Sequence, residues 1–173
     1  MIFDPAGEAR VRELWTRLAD LGIPSFLLTH GHVPHVSLAG CDALDPAEFA
    51  AELERFAARE PPLAIALASV ATFATDEGVL FLGATKTRAL LELHERFWQR
   101  LGPLMRGPWD YYRPEHWVPH CTLTMGLDPA QLGAALPICV GAKLPIAVAL
   151  TGVTLFEPRK ARELARFSFS GSR

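Results

Sequence analysis

The chain has 173 residues, half of them hydrophobic and 21% charged, with a formal net charge of −2. That is enough apolar material for one domain, or for two small lobes folding together, and the absence of any long Lys/Arg run excludes a large electrostatic footprint on duplex DNA. No stretch of about 18 uninterrupted apolar residues exists, so no membrane span is expected.

Val11, Leu14, Trp15, Leu18 and Leu21 are spaced as one helical stripe across residues 8 to 21, stopped by Gly22 and Pro24. Ile23 to Thr29 reads as a buried strand, with Phe26 in the core. After a loop containing Gly31 comes Val33-Pro34-His35-Val36-Ser37-Leu38, expected as a strand ending at Gly40. Asp45 then Pro46, with Glu48 following, is a helix start, and Phe49, Leu53 and Phe56 carry the helix to Arg59. Leu63 to Thr75 and Val79 to Thr85 read as two strands joined by Asp76-Glu77-Gly78.

The same order then recurs. A helix over 87 to 101 is followed by a loop rich in Pro, Trp and Tyr (108 to 117). Val118-Pro119-His120-Cys121-Thr122-Leu123 is a second motif strand, and Asp128-Pro129 opens a short helix. Strands are expected over 146 to 156 and 164 to 170, with a turn at 157 to 160. The two motifs agree at Val, Pro, His and Leu, and Ser37 and Thr122 both keep a hydroxyl. The histidines lie 85 positions apart. Trp15 and Trp98, and Leu67 and Leu150, are each 83 apart. Three anchors at nearly constant offset indicate a duplication. The expected domain is therefore 1-173, built of lobes of roughly 1-85 and 86-173 that pack into one unit.

In a strand, residues i and i+2 share a face. Each motif thus presents one imidazole and one hydroxyl from an apolar-backed strand. Two imidazoles and two hydroxyls converging on one cleft suit phosphoester chemistry without a metal. One neutral imidazole takes a proton and one imidazolium donates one. The ordinary histidine pKa near 6.5 lets both states exist around neutral pH. The hydroxyls donate to phosphate oxygens. A lone His-x-Ser is a weak signal; two copies in a duplicated frame are a strong one.

The paired His-x-Ser/Thr-Leu motifs resemble those of the 2H phosphoesterase superfamily, and in particular its bacterial 2′-5′ RNA ligase-like and cyclic phosphodiesterase branch. The resemblance covers nearly the whole chain. It implies an α+β fold, bilobal, with antiparallel sheets lining a central groove and helices outside. It also implies His35 and His120 as acid and base, Ser37 and Thr122 as phosphate-binding hydroxyls, and no cofactor or metal. The expected reactions are hydrolysis of 2′,3′-cyclic phosphates, or cleavage and joining of 2′-5′ RNA linkages. The expected partner is a nucleotide or an RNA end bearing a cyclic phosphate, handled by a monomer.

Other residues are weighed on their own chemistry. His30, His32 and His35 resemble the zinc spacing of metallo-β-lactamase-like hydrolases, but Pro34 stands where that motif needs Asp. A zinc hydrolase is therefore an alternative, as is a module that binds a nucleotide or RNA end without turnover. His32 is placed at the cleft rim. The 109 to 117 loop offers aromatic faces, with Tyr112 and Trp117 as candidate base contacts and Arg113 as a candidate phosphate contact. His94, mid-helix, is expected to be structural. Cys41, Cys121 and Cys139 lack CxxC spacing and, with no leader-like N-terminus, point to a reducing, cytoplasmic setting.

Overall fold

A computed structural model of the chain describes residues 1–24, 26–157 and 162–172. Pro158, Arg159 and Lys160 of the expected turn lie outside these residues. In chain order the elements are β1 (Ile2–Phe3), α1 (Pro5–Ala19), α2 (Phe26–Thr29), β2 (Cys41–Ala43), α3 (Pro46–Ala57), β3 (Leu63–Thr72), β4 (Leu80–Ala84), α4 (Arg88–Leu101), β5 (Arg106–Pro108), β6 (His120–Thr124), α5 (Pro129–Val140), β7 (Ile146–Glu157) and β8 (Arg162–Ser168). Single 3-10 turns occupy Gly102–Leu104 and Asp110–Tyr112.

The helix starts follow the local chemistry. The Asp45 side chain accepts from Ala47 N and Glu48 N, with Pro46 at the first helical position. Asp128 and Gln131 form a reciprocal capping box on α5. Gly7, Val11, Leu14, Trp15 and Leu18 are the buried face of α1, and Leu90, Leu93, His94, Phe97, Trp98 and Leu101 that of α4. These faces join one core with Leu67, Leu82, Cys121, Val148 and Leu150.

The fold is α+β and its paired strands are antiparallel. The larger sheet runs β1-β7-β3-β4-β6, with β8 also pairing β7, and β2 pairs β5 separately. The two halves of the chain are interleaved in it: β3 of the first half pairs β7 of the second, and β4 pairs the second motif on β6. Along β3 and β7, Ile65 faces Val148, which is 83 positions later. Leu63↔Leu150 and Leu67↔Ile146 are placed evenly on either side of that pair. Among the described residues no helix is long and apolar enough to cross a membrane.

Two segments differ from the strands expected of them. Residues 26–29 form a helical turn, not a strand, closed by Gly31 at φ 66°. So short an apolar run carries no decisive period, and its neighbours decide. Leu27 is buried, while Phe26 is exposed and stacks on His30 with ring centroids 4.2 Å apart. The first motif is extended but has no ladder beyond a single bridge, Ile2↔His35. Its carbonyls are satisfied by other partners, described next.

Candidate functional site

Both motifs show one burial rhythm. Pro34, Val36 and Leu38 are buried while His35 and Ser37 are half-buried; Pro119, Cys121 and Leu123 are buried while His120 and Thr122 are half-buried. The apolar side chains anchor each segment in the core and leave the imidazole and hydroxyl on the other face.

Backbone and side-chain groups from distant parts of the chain hold the first motif. The Val36 N–H donates to the Met1 carbonyl at 2.9 Å, and the Met1 amine donates back to the Val36 carbonyl at 2.7 Å. Trp117 Nε1 donates to the Ser37 carbonyl at 3.0 Å and Trp98 Nε1 to the Leu38 carbonyl at 3.1 Å. The Trp109 amide donates to the Gly40 carbonyl at 2.8 Å. Buried carbonyls need partners, and tryptophan N–H groups supply here what a strand neighbour would otherwise supply. On the second motif, Trp15 Nε1 donates to the Thr122 carbonyl at 3.2 Å. The helix of each half therefore pins the motif of the other half, through the two tryptophans that lie 83 positions apart.

The two histidines are oriented alike. His35 Nδ1 lies 2.8 Å from the Val33 carbonyl, and His120 Nδ1 lies 2.7 Å from the Val118 carbonyl. A carbonyl only accepts, so each bond places the proton on Nδ1 and leaves the Nε2 lone pair free. The rings are close enough that charge on His120 disfavours charge on His35. The His35 backbone amide also faces the Cys121 thiol of the second motif, whose pKa burial pushes up to about 12. Phe73 meets His120 edge-on with centroids 5.0 Å apart, and Phe81 lies at 4.9 Å.

Burial is the largest influence on both imidazoles. It pushes His35 down to about 4, opposed by the Val33 bond, with the Met1 ammonium, His32 and His120 adding to the fall. Burial also lowers His120, against the Val118 bond. This corrects the expectation of ordinary values near 6.5: without a ligand, both rings are neutral at pH 7.

The remaining candidates divide. Burial pushes the Tyr112 phenol up, and the nearby Ser37 side chain counters part of that rise, which brings this tyrosine to the first motif. Trp117 is 1% exposed and its ring is stacked on His94 (3.7 Å, 6°), so it presents no free face to a base. Its contribution is the N–H on Ser37. Arg113 pairs with Asp110 at 3.3 Å and lies over the Trp98 ring at 5.9 Å, so part of its charge is already engaged. His32 sits between Phe26 and Phe156, and its buried Nε2 has no hydrogen-bond partner among the described residues. Among the described residues no group of three or more His, Cys, Asp or Glu side chains is disposed to hold a metal ion. His30 Nδ1 instead lies against the Phe26 carbonyl at 3.0 Å.

Phe73, Phe81, Trp15 and Trp98 were not among the sequence candidates. The equal spacing of the two tryptophans was the signal available for the last two. Compared with known families, residues 3–162 match the sequence model of the 2'-5' RNA ligase superfamily. No curated protein matches the chain.

Proposed function

Because the chain belongs to the 2'-5' RNA ligase superfamily, a group of 2H phosphoesterases, we propose that it hydrolyses 2′,3′-cyclic phosphates of nucleotides or RNA ends, or acts on 2′-5′ phosphodiester bonds, with His35 and His120 as the proton-transferring pair. The observation that carries this reading is the matched tautomer: each motif bonds its own Nδ1–H to the carbonyl two residues back, leaving two Nε2 atoms for substrate.

In the hydrolytic direction, water adds to phosphorus as the P–O bond to one ribose oxygen breaks. One neutral imidazole takes the water proton at Nε2, and the other, as imidazolium, gives its Nε2 proton to the departing ribose oxygen. The anionic phosphate favours that imidazolium by direct charge attraction, offsetting the burial that disfavours it in the free protein. Ser37, with Tyr112 behind it, and Thr122 donate to the non-bridging oxygens. The two sequence halves are read as pseudo-repeats related about the Ile65–Val148 pair, which would account for two equivalent proton-transfer groups.

A panel of 2′,3′-cyclic nucleotides and 2′-5′-linked dinucleotides, with product analysis and a chelator arm, tests the proposal. His35→Ala and His120→Ala are each expected to lower kcat by about 10²- to 10⁴-fold, the usual weight of one general acid or base. Near-wild-type rates in either variant would sink the two-histidine mechanism.

A further inference from the structure

His120 stands at one end of a diagonal row of rings that runs from the end of β3 across β4. Phe81 of β4 pairs with Thr122 of β6, and Gly83 pairs with His120. On the other side of β4, Phe81 pairs with Ala71 of β3, and Phe73 follows two residues on. Residues two apart share a face, and diagonal neighbours on adjacent strands lie within reach of aromatic side chains. The rings meet accordingly. Phe73 and Phe81 have centroids 4.4 Å apart, Phe81 and His120 4.9 Å, and Phe73 meets His120 edge-on at 5.0 Å and 83°. Phe81 is buried and Phe73 half-buried.

This support is one-sided. Gly83, directly opposite His120, offers the imidazole no side chain, and a Cβ placed there would lie 2.5 Å from Ser69 Oγ. The bond between His120 Nδ1 and the Val118 carbonyl fixes one nitrogen. The torsion that sets the plane of a histidine ring has a broad minimum, so the tilt of the ring is left to its packing. Phe81 backs Phe73, and the two rings close the same flank of the imidazole. Hydrocarbon on that flank keeps water away, and burial is the largest influence on this group. Phe73, Phe81 and Gly83 carry no charge; the titratable group that feels the charge of His120 is His35. Phe156, 83 positions after Phe73, has its ring on His32 at 5.0 Å, three positions before His35. The same place in the other half therefore serves a different histidine.

We propose that Phe73 is a positioning residue for His120: its ring, backed by Phe81, holds the tilt of the imidazole and closes one flank of it to water, and so sets the direction in which Nε2 meets the substrate. The end of β3 in the first half thereby aims the proton-transfer group of the second half. The inference rests on the phosphoesterase reading for its kinetic consequence, but the contact can be measured without turnover.

The test compares full-length wild type with Phe73→Leu (apolar, without the ring), Phe73→Tyr (ring kept) and Phe156→Leu (the same change at the equivalent place). Histidine ring protons are followed by NMR as a function of pH, with the His120 signal assigned by its loss in His120→Ala. In Phe73→Leu the His120 midpoint is expected to rise toward about 6.5, because water reaches the ring. It should return to the wild-type value in Phe73→Tyr and stay there in Phe156→Leu. On the best cyclic phosphate of the panel, kcat of Phe73→Leu is expected to fall about tenfold with KM within about twofold of wild type, the pattern of a misaimed proton-transfer group. Phe73→Tyr should recover most of that loss. An unshifted His120 midpoint in folded Phe73→Leu, or an equal shift in Phe73→Tyr or Phe156→Leu, would overturn the proposal. A Phe73→Leu variant whose KM rises while kcat holds would also overturn it, making Phe73 a substrate contact. If wild type turns over no member of the panel, the phosphoesterase reading fails while the titration still decides the contact.

Discussion

His35 and His120 carry the same local bond and different surroundings. Each Nδ1 is held by the carbonyl two residues back, so neither ring can flip without losing a hydrogen bond. Burial lowers both, and the sign of the pH dependence follows. The working free protein needs one proton shared between two groups whose affinities lie below 6.5, and the singly protonated pair is most populated between their two macroscopic values. With His35 held down to about 4, kcat/KM is expected to be bell-shaped with its maximum on the acid side of 6.5. The kcat profile should lie at higher pH, because bound phosphate favours the imidazolium. A kcat/KM maximum above pH 7 in steady-state assays would show that burial does not set the free-protein values.

At the scale of elements, the tryptophans of α1 and α4 act as couplers and not only as core volume. Trp15 is 2% exposed and spends its N–H on the Thr122 carbonyl of β6. Trp15→Phe keeps the ring packing and removes that bond, so a loss of about 1 kcal/mol is expected, together with a fall in kcat/KM. Asp45→Ala is the control. It removes a cap from α3 and costs a similar ~1 kcal/mol, but leaves kcat/KM unchanged because it touches neither motif. Urea midpoints and turnover measured on both variants separate the cases. If both lose activity equally, stability alone explains it and the pin has no special role.

For the molecule as a whole, four of the six histidines (His32, His35, His94 and His120) are lowered by burial. Their folded affinities for protons are weaker than those of the unfolded chain, near 6.5. Between that value and the folded values, the unfolded chain binds protons that the native state refuses. The contribution of these histidines is therefore full above pH 6.5 and falls as pH drops, by up to about 1.4 kcal/mol per pH unit for each well-buried ring and by less for the partly exposed His32, whose charge solvent screens; the buried Met1 amine, lowered to about 5, adds its own decline from about pH 8. For His94 and His35 the fall continues to about pH 4. Urea denaturation at pH 7.0, 5.5 and 4.5 should show the decline, and His94→Val should flatten it. A flat profile would mean that these rings are hydrated in the native state.

The sequence by itself determined the helices of the two halves, the β3-β4 hairpin, the cap of α3 and the pairing of the two motifs. Each of these is written in local spacing: a 3.6-residue stripe, a Pro after Asp, or a six-residue string repeated at half length. Only the tertiary structure decided the rest. Within the strand read for residues 23–29, Phe26–Thr29 became a helical turn because a short apolar run takes its form from what it packs against. The first motif stayed extended without a ladder because Trp98, Trp109 and Trp117 reach its carbonyls from 60 to 80 positions away. The proton affinities of His35 and His120 depend on how much water their neighbours exclude. Long-range contacts leave no period in a sequence, and the cost of burying a charge is a property of the assembled surroundings and not of the residue.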